Sequence, residues 1–171
     1  MHDSLRTLDA TDIRIAYELG KNGRLSNREM ARRIGVSEGN VRQRLGRLIR
    51  SGALRVVAQT NLECLPESFL AVVGLKIDGR ELTECARRVE ALPAVLTTMI
   101  VTGRHDLVAI VLAPSRRTLV DFVTNDLSVI PGIRDSETTV VLRSYEQWID
   151  AERAFDPARA GRGAAETEDE G

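Results

Sequence analysis

The sequence predicts an α+β protein in two units, and three observations predict it. Residues 8–50 carry apolar side chains at helical spacing behind helix-starting residues, whereas residues 69–142 alternate β-rich runs with helical ones. Charge divides at nearly the same place: residues 1–58 hold twelve Arg and Lys against six Asp and Glu, and residues 59–171 hold twelve against nineteen. Between the two patterns, residues 59–67 include Asn61 and Pro66 and read as a linker.

The first helix is expected in "LDATDIRIAYELGKNGR", with Asp9 as cap, Asp12 in the first turn, and Gly20 and Gly23 ending it. In "LSNREMARRIGVSEGNVRQRLGRLIRSGAL" the start signal is written twice. Ser26 with Glu29 three residues later forms a capping box, Gly35 suits a helix end, and Ser37 caps another helix that Gly52 ends. Two short helices joined by three residues form a helix-turn-helix, whose second helix enters the DNA major groove. On that helix Val41, Leu45, Leu48 and Ile49 form a packing face. Gly39, Gln43, Gly46, Arg47 and Arg50 lie opposite, with Asn40, Arg42 and Arg44 at the flanks. Asn and Gln offer paired donors and acceptors to adenine, and Arg suits guanine or phosphate. The expected contacts to double-stranded DNA are therefore Ser26, Ser37, Glu38, Gly39, Asn40, Arg42, Gln43, Arg44 and Arg47. "ALRVVAQTNL" reads as a β-wing closing a winged helix-turn-helix domain over residues 1–58. An Arg-rich face is also a common solvated surface, so it is the capped pair around it that carries the reading.

Beyond the linker, "FLAVVGLKI" is a strand, and "GRELTECARRVEAL" a helix with Leu82, Cys85, Ala86, Val89 and Leu92 on one side. "AVLTTMIVTG" and "DLVAIVLA" are strands, "SRRTLVDFVTNDLSVI" a helix capped by Ser115, and "IRDSETTVVLRS" a last strand. The order β-α-β-β-α-β over residues 68–157 gives a ferredoxin-like domain with both helices on one sheet face. The other face is apolar enough to require a partner chain. Residues 158–171 form a small, polar, acidic tail expected to be disordered.

Other functions lack their residues. Cys64, Cys85, His2 and His105 show no zinc spacing, no cofactor motif is present, and His105 beside Asp106 has no nucleophile to activate, so catalysis is not expected. No apolar run approaches the roughly 18 residues that span a bilayer, and the first residues do not read as a secretory signal, which points to the cytoplasm.

A winged helix-turn-helix followed by a ferredoxin-like domain resembles the Lrp/AsnC, or feast/famine, transcription regulators over residues 5–150. The marks are "LDATDIRIAYEL", the helix-turn-helix segment quoted above, the loop "VTGRHDL" and "IPGI". The resemblance implies homodimers formed through the C-terminal sheets, often assembled into octamers. It also implies a small-molecule effector, usually an amino acid, at the loop between the second and third strands of that domain: Thr102, Gly103, Arg104, His105 and Asp106. Gly103 and Asp106 keep the family's Gly-x-x-Asp pattern; Arg104 and His105 are less usual fillers, and the wing departs from the family pattern. The same loop also reads as a plain hairpin turn in which Asp bonds the backbone. The remaining alternative is an architectural DNA-binding protein of the nucleoid, with little sequence preference and no effector.

Overall fold

The computed structural model describes residues 7–65 and 67–156, and the chain divides into two units between Ala58 and Gln59. The predicted acidic tail lies outside the described residues. Among the described residues no helix is long and apolar enough to cross a membrane.

In the first unit, α1 (Ala10–Lys21) starts where Asp9 accepts the N–H groups of Thr11 and Asp12, each at 2.9 Å, while Asp12 Oδ2 accepts the Asp9 N–H at 3.3 Å. These bonds satisfy donors that a helix start leaves without partners. α2 (Asn27–Ile34) starts on Ser26, whose Oγ accepts the Glu29 N–H at 3.2 Å. The Glu29 carboxylate turns to Arg32 and Arg33 instead of back to Ser26, so the second half of the expected capping box gives way to ion pairs; these hold its carboxyl down to about 2. Gly35 at φ 75°, ψ 38° occupies the left-handed region that glycine enters without Cβ strain, and it reverses the chain into α3 (Glu38–Arg50), capped by Ser37.

Ile15, Leu19, Met30, Ala31, Ile34, Val41 and Leu48 form the core of this unit, flanked by Leu25, Val36, Leu45, Ala53 and Leu54. Ile49, expected on the packing face, is 48% exposed. At about 100° per residue it stands roughly 80° round the helix from Val41, outside the stripe made by Val41, Leu45 and Leu48.

The predicted wing does not form. Residues 54–58 make no ladder, and the strand signal is spent in the second unit, where β1 (Gln59–Asn61) pairs antiparallel with β6 (Trp148–Asp150). Nor is 59–67 a linker: β1 runs into a 3-10 turn, Leu62–Cys64, and Leu62 N–H donates to the Gln147 carbonyl at 2.9 Å. A strand needs a partner for its backbone groups, and the sequence-distant Trp148–Asp150 supplies it.

The second unit holds a four-stranded antiparallel sheet ordered β3-β4-β2-β5: β2 is Phe69–Ile77, β3 Val95–Ile100, β4 Leu107–Ala113 and β5 Ile133–Val140. With α4 (Leu82–Glu90) after β2 and α5 (Arg116–Asp121) after β4, this is the βαββαβ arrangement. Ala71, Val73, Leu75, Leu107, Ala109 and Val111 pack on one face against Cys85, Val89, Leu119 and Phe122. α5 is shorter than its sequence pattern, because a π-helical turn, Phe122–Asp126, takes over from Asp121 and keeps Phe122 and Leu127 in the core. α6 (Ala151–Ala154) follows β6, and its Arg153 donates to the Leu96 carbonyl. The other sheet face carries the alternate residues: Val72, Val108 and Ile110 are half-buried there and Met99 is exposed.

Asp12 is the one buried charged side chain among the described residues. Its oxygens lie 2.7 and 2.8 Å from Arg47 Nη2 and 2.9 Å from Arg44 Nη1. Removing one member of a buried ion pair typically costs about 3–5 kcal/mol. Because both guanidinium groups keep some water, Asp12→Ala should destabilise the first unit by about 3 kcal/mol in denaturant titration, and a loss below about 1 kcal/mol, the size of a surface pair, would show that the pairing is not structural.

Candidate nucleic-acid interface and effector loop

The outward side of α3 is narrower than its sequence implies. Gly39, Arg42, Gln43 and Arg50 are exposed, as are the cap residues Ser26 and Ser37, whose hydroxyl protons are not used by the caps and can be donated to a phosphate. Glu38 pairs with Arg42 at 2.5 Å, one turn on. Arg44 and Arg47 do not stand on a free face. They are half-buried and drawn to the start of α1, because a buried carboxylate needs charged donors and these two, one turn apart on α3, are within reach. Arg44 Nη1 also lies 2.5 Å from Asp9 Oδ2, and this guanidinium, ahead of the Asp12 N–H, holds the Asp9 carboxyl below its ordinary value. Asn40, half-buried, accepts the Arg44 Nε–H on its Oδ1 at 3.0 Å. Asp9 and Asp12 were legible as helix-start residues; their second task appears only once α1 and α3 pack.

In the second unit, Thr102, Gly103 and Arg104 are exposed, and His105 and Asp106 are half-buried at the end of the loop between β3 and β4. Gly103 has φ 114°, backbone that a side chain enters only with strain. Asp106 is not a free carboxylate: it accepts the Ile77 N–H at 3.0 Å and Lys76 Nζ at 3.3 Å, and those bonds, the backbone one first, lower its pKa. The hairpin function of Asp106 is thus real, though its partner is the adjoining strand β2. His105 lies across the open sheet face over Gly74. A Cβ on Gly74 would stand 2.5 Å from the imidazole Cγ and Cδ2, so the central strand lacks a side chain where the ring rests. Glu137 of β5, directly opposite Gly74, lies 3.1 Å from Arg104 Nη2 as an ion pair and 3.2 Å from His105 Nε2. Sequence reasoning missed Glu137 and Gly74, which the sheet register brings to the loop. Among the described residues no group of His, Cys, Asp and Glu is arranged to hold a metal ion.

A three-helix unit that presents a capped polar helix, joined in one chain to a βαββαβ domain with a polar loop on its open face, defines a two-part DNA-binding, ligand-binding protein. Residues 8–55 match the winged helix-turn-helix DNA-binding family and residues 70–148 the Lrp/AsnC ligand binding domain. An uncharacterised HTH-type transcriptional regulator of Pyrococcus furiosus is 34% identical over 82% of this chain and 95% of its own. Among solved structures, the leucine response regulatory protein of Mycobacterium tuberculosis superimposes with TM-score 0.72 at 26% identity, covering 82% of this chain and 96% of that one. A transcriptional regulator of Neisseria meningitidis in complex with L-Met does so with TM-score 0.67 at 27% identity, over 84% and 96%. The chain belongs to the Lrp/AsnC family of transcriptional regulators, a family of DNA-binding regulators rather than enzymes.

Two outcomes test the loop geometry. Gly74→Ala should fold, because the loop side chain can yield to the new methyl, and should shift the ring resonances of His105; unchanged resonances would place the imidazole elsewhere. The Ile77 amide resonance should titrate with the Asp106 carboxyl. Since the folded pKa is depressed below 3.8, the loop's anchoring is complete above that value and fades as pH falls through the lower folded one.

Proposed function

We propose that the chain is a sequence-specific transcriptional regulator that works as a homodimer, open to assembly into octamers, and responds to an amino acid bound at Thr102–Asp106. The observation that carries the reading is the pairing of an outward α3 face bearing Asn40, Arg42 and Gln43 with an exposed loop, turning on Gly103, seated on an apolar sheet face. Asn40 and Gln43 suit base edges, and Arg42 and Arg50 suit phosphates. Val72, Val108, Ile110 and Met99 favour a second copy over that sheet face, since apolar area of this kind is rarely left to water. At the loop, Arg104 and the backbone N–H groups beside Gly103 suit an α-carboxylate. With Asp106 bound to the Ile77 N–H and Lys76, Glu137 is the other carboxylate at the loop, and it would exchange its ion pair with Arg104 for the ligand's ammonium group while Arg104 turns to the ligand's carboxylate.

An effector acts only if it binds one state better than another. Titration calorimetry of the full chain against the twenty amino acids should find one that binds and that changes sedimentation or DNA affinity. Gly103→Thr should weaken that binding at least tenfold, about 1.4 kcal/mol. Equal binding by wild type and variant would remove this loop as the site. In parallel, affinity for a selected sequence and for random DNA at fixed salt should differ by about 10³-fold or more; near-equal affinities would favour the architectural reading.

A further inference from the structure

We propose that Arg44 is a positioning residue for base readout: anchored on Asp9 and Asp12 of α1, it sets the orientation of the Asn40 amide. The inference rests on the reading of α3 as the DNA-reading helix. Arg44 Nη1 is held at 2.5 and 2.9 Å by the two carboxylates, and Arg44 Nε donates to Asn40 Oδ1 at 3.0 Å. A guanidinium has five donors and no acceptor, so the Asn40 atom that faces Nε must be the oxygen. The flipped amide would bring two donors together. One lone pair on Oδ1 and both N–H groups of Asn40 therefore remain, in a fixed order, for a base edge. An unanchored Asn swaps oxygen and nitrogen by rotating about its terminal torsion and accepts several bases; an anchored one accepts fewer. The carboxylates bonded to each other's N–H groups across the start of α1 complete the chain from helix cap to reading side chain.

Arg44→Lys separates this role from stability. Lysine retains a cation for Asp9 and Asp12 but has no Nε–H for Asn40. The full chain and its Arg44→Lys, Asn40→Ala, Gln43→Ala and doubly substituted Arg44→Lys/Asn40→Ala variants would select DNA from a random pool at fixed salt, with thermal unfolding measured alongside. Asn40→Ala should relax preference about tenfold at one base position of each half-site. Arg44→Lys should relax the same position and no other, and the double variant should relax it no further than Asn40→Ala alone. If Arg44→Lys keeps full preference at the Asn40 position, or relaxes all positions alike, the positioning role is overturned. If Asn40→Ala changes no preference while Gln43→Ala does, Asn40 does not read, and the proposal fails though α3 still reads. If no variant changes preference, the reading of α3 itself fails. A folding defect in Arg44→Lys appears in its unfolding temperature; selection is then run at a temperature where the variant is fully folded, and full preference at the Asn40 position there still overturns the proposal.

Discussion

The first unit is organised around one buried carboxylate. Asp12 sits in the first turn of α1, closes its start by accepting the Asp9 N–H, and takes charged donors from two turns of α3. A charge placed in that environment is tolerated only when its oxygens are fully engaged, and engaging them fixes the rotation of α3 about its axis. The apolar contacts of Val41, Leu45 and Leu48 are non-directional and would accept some rotation of the helix. The Asp12–Arg47 and Asp12–Arg44 pairs accept far less, because guanidinium geometry is directional. What α3 presents outward follows from this. The arginines most prominent in its sequence serve as struts, leaving Arg42 and Arg50 as the outward cations and Asn40, Gln43 and the bare backbone at Gly39 as the polar surface.

The second unit depends on a missing side chain. Gly74 lies in the middle of β2, between β4 and β5, where a β-branched residue would ordinarily strengthen the strand. Its place is taken by the imidazole of His105, folded back from the loop. Asp106, the next residue, then accepts the Ile77 N–H, and Glu137 gathers Arg104 and His105 from the far side. The loop is thereby fastened at its β4 end while Thr102 and Gly103 stay exposed.

The helices of the first unit, the four strands of the sheet and the Ser115 cap were legible because each has a local cause: a cap residue, a period, a glycine. β2 coincides with the run "FLAVVGLKI" for that reason. The failures share a different cause. The segment after Gly52 has strand-like composition but no neighbouring partner, so its pairing was decided by Trp148–Asp150, about ninety residues away, and the β-wing and the linker were both misread. The same limit applies at the sites. Asn40, Gln43 and the loop residues are visible as chemistry in sequence, whereas the capture of Arg44 and Arg47 by Asp12, and the placement of Glu137 opposite Gly74, depend on packing and register. Ile49 failed at the edge of a helical stripe, where periodicity alone decides little.

On the proposed reading, effector and partner meet on one surface. His105 occupies the sheet face that also carries Val72, Val108 and Ile110, so a second copy covering those residues would pack beside the loop's polar cluster. Closing that surface removes water from Arg104, His105 and Glu137 and raises the cost of any charge among them left unmatched. An amino acid brings one charge of each sign, and so can enter such a cluster without altering its net charge while changing which pairs form. A ligand of that kind shifts assembly through the difference between its contacts in the open and covered states, and requires no movement of the sheet.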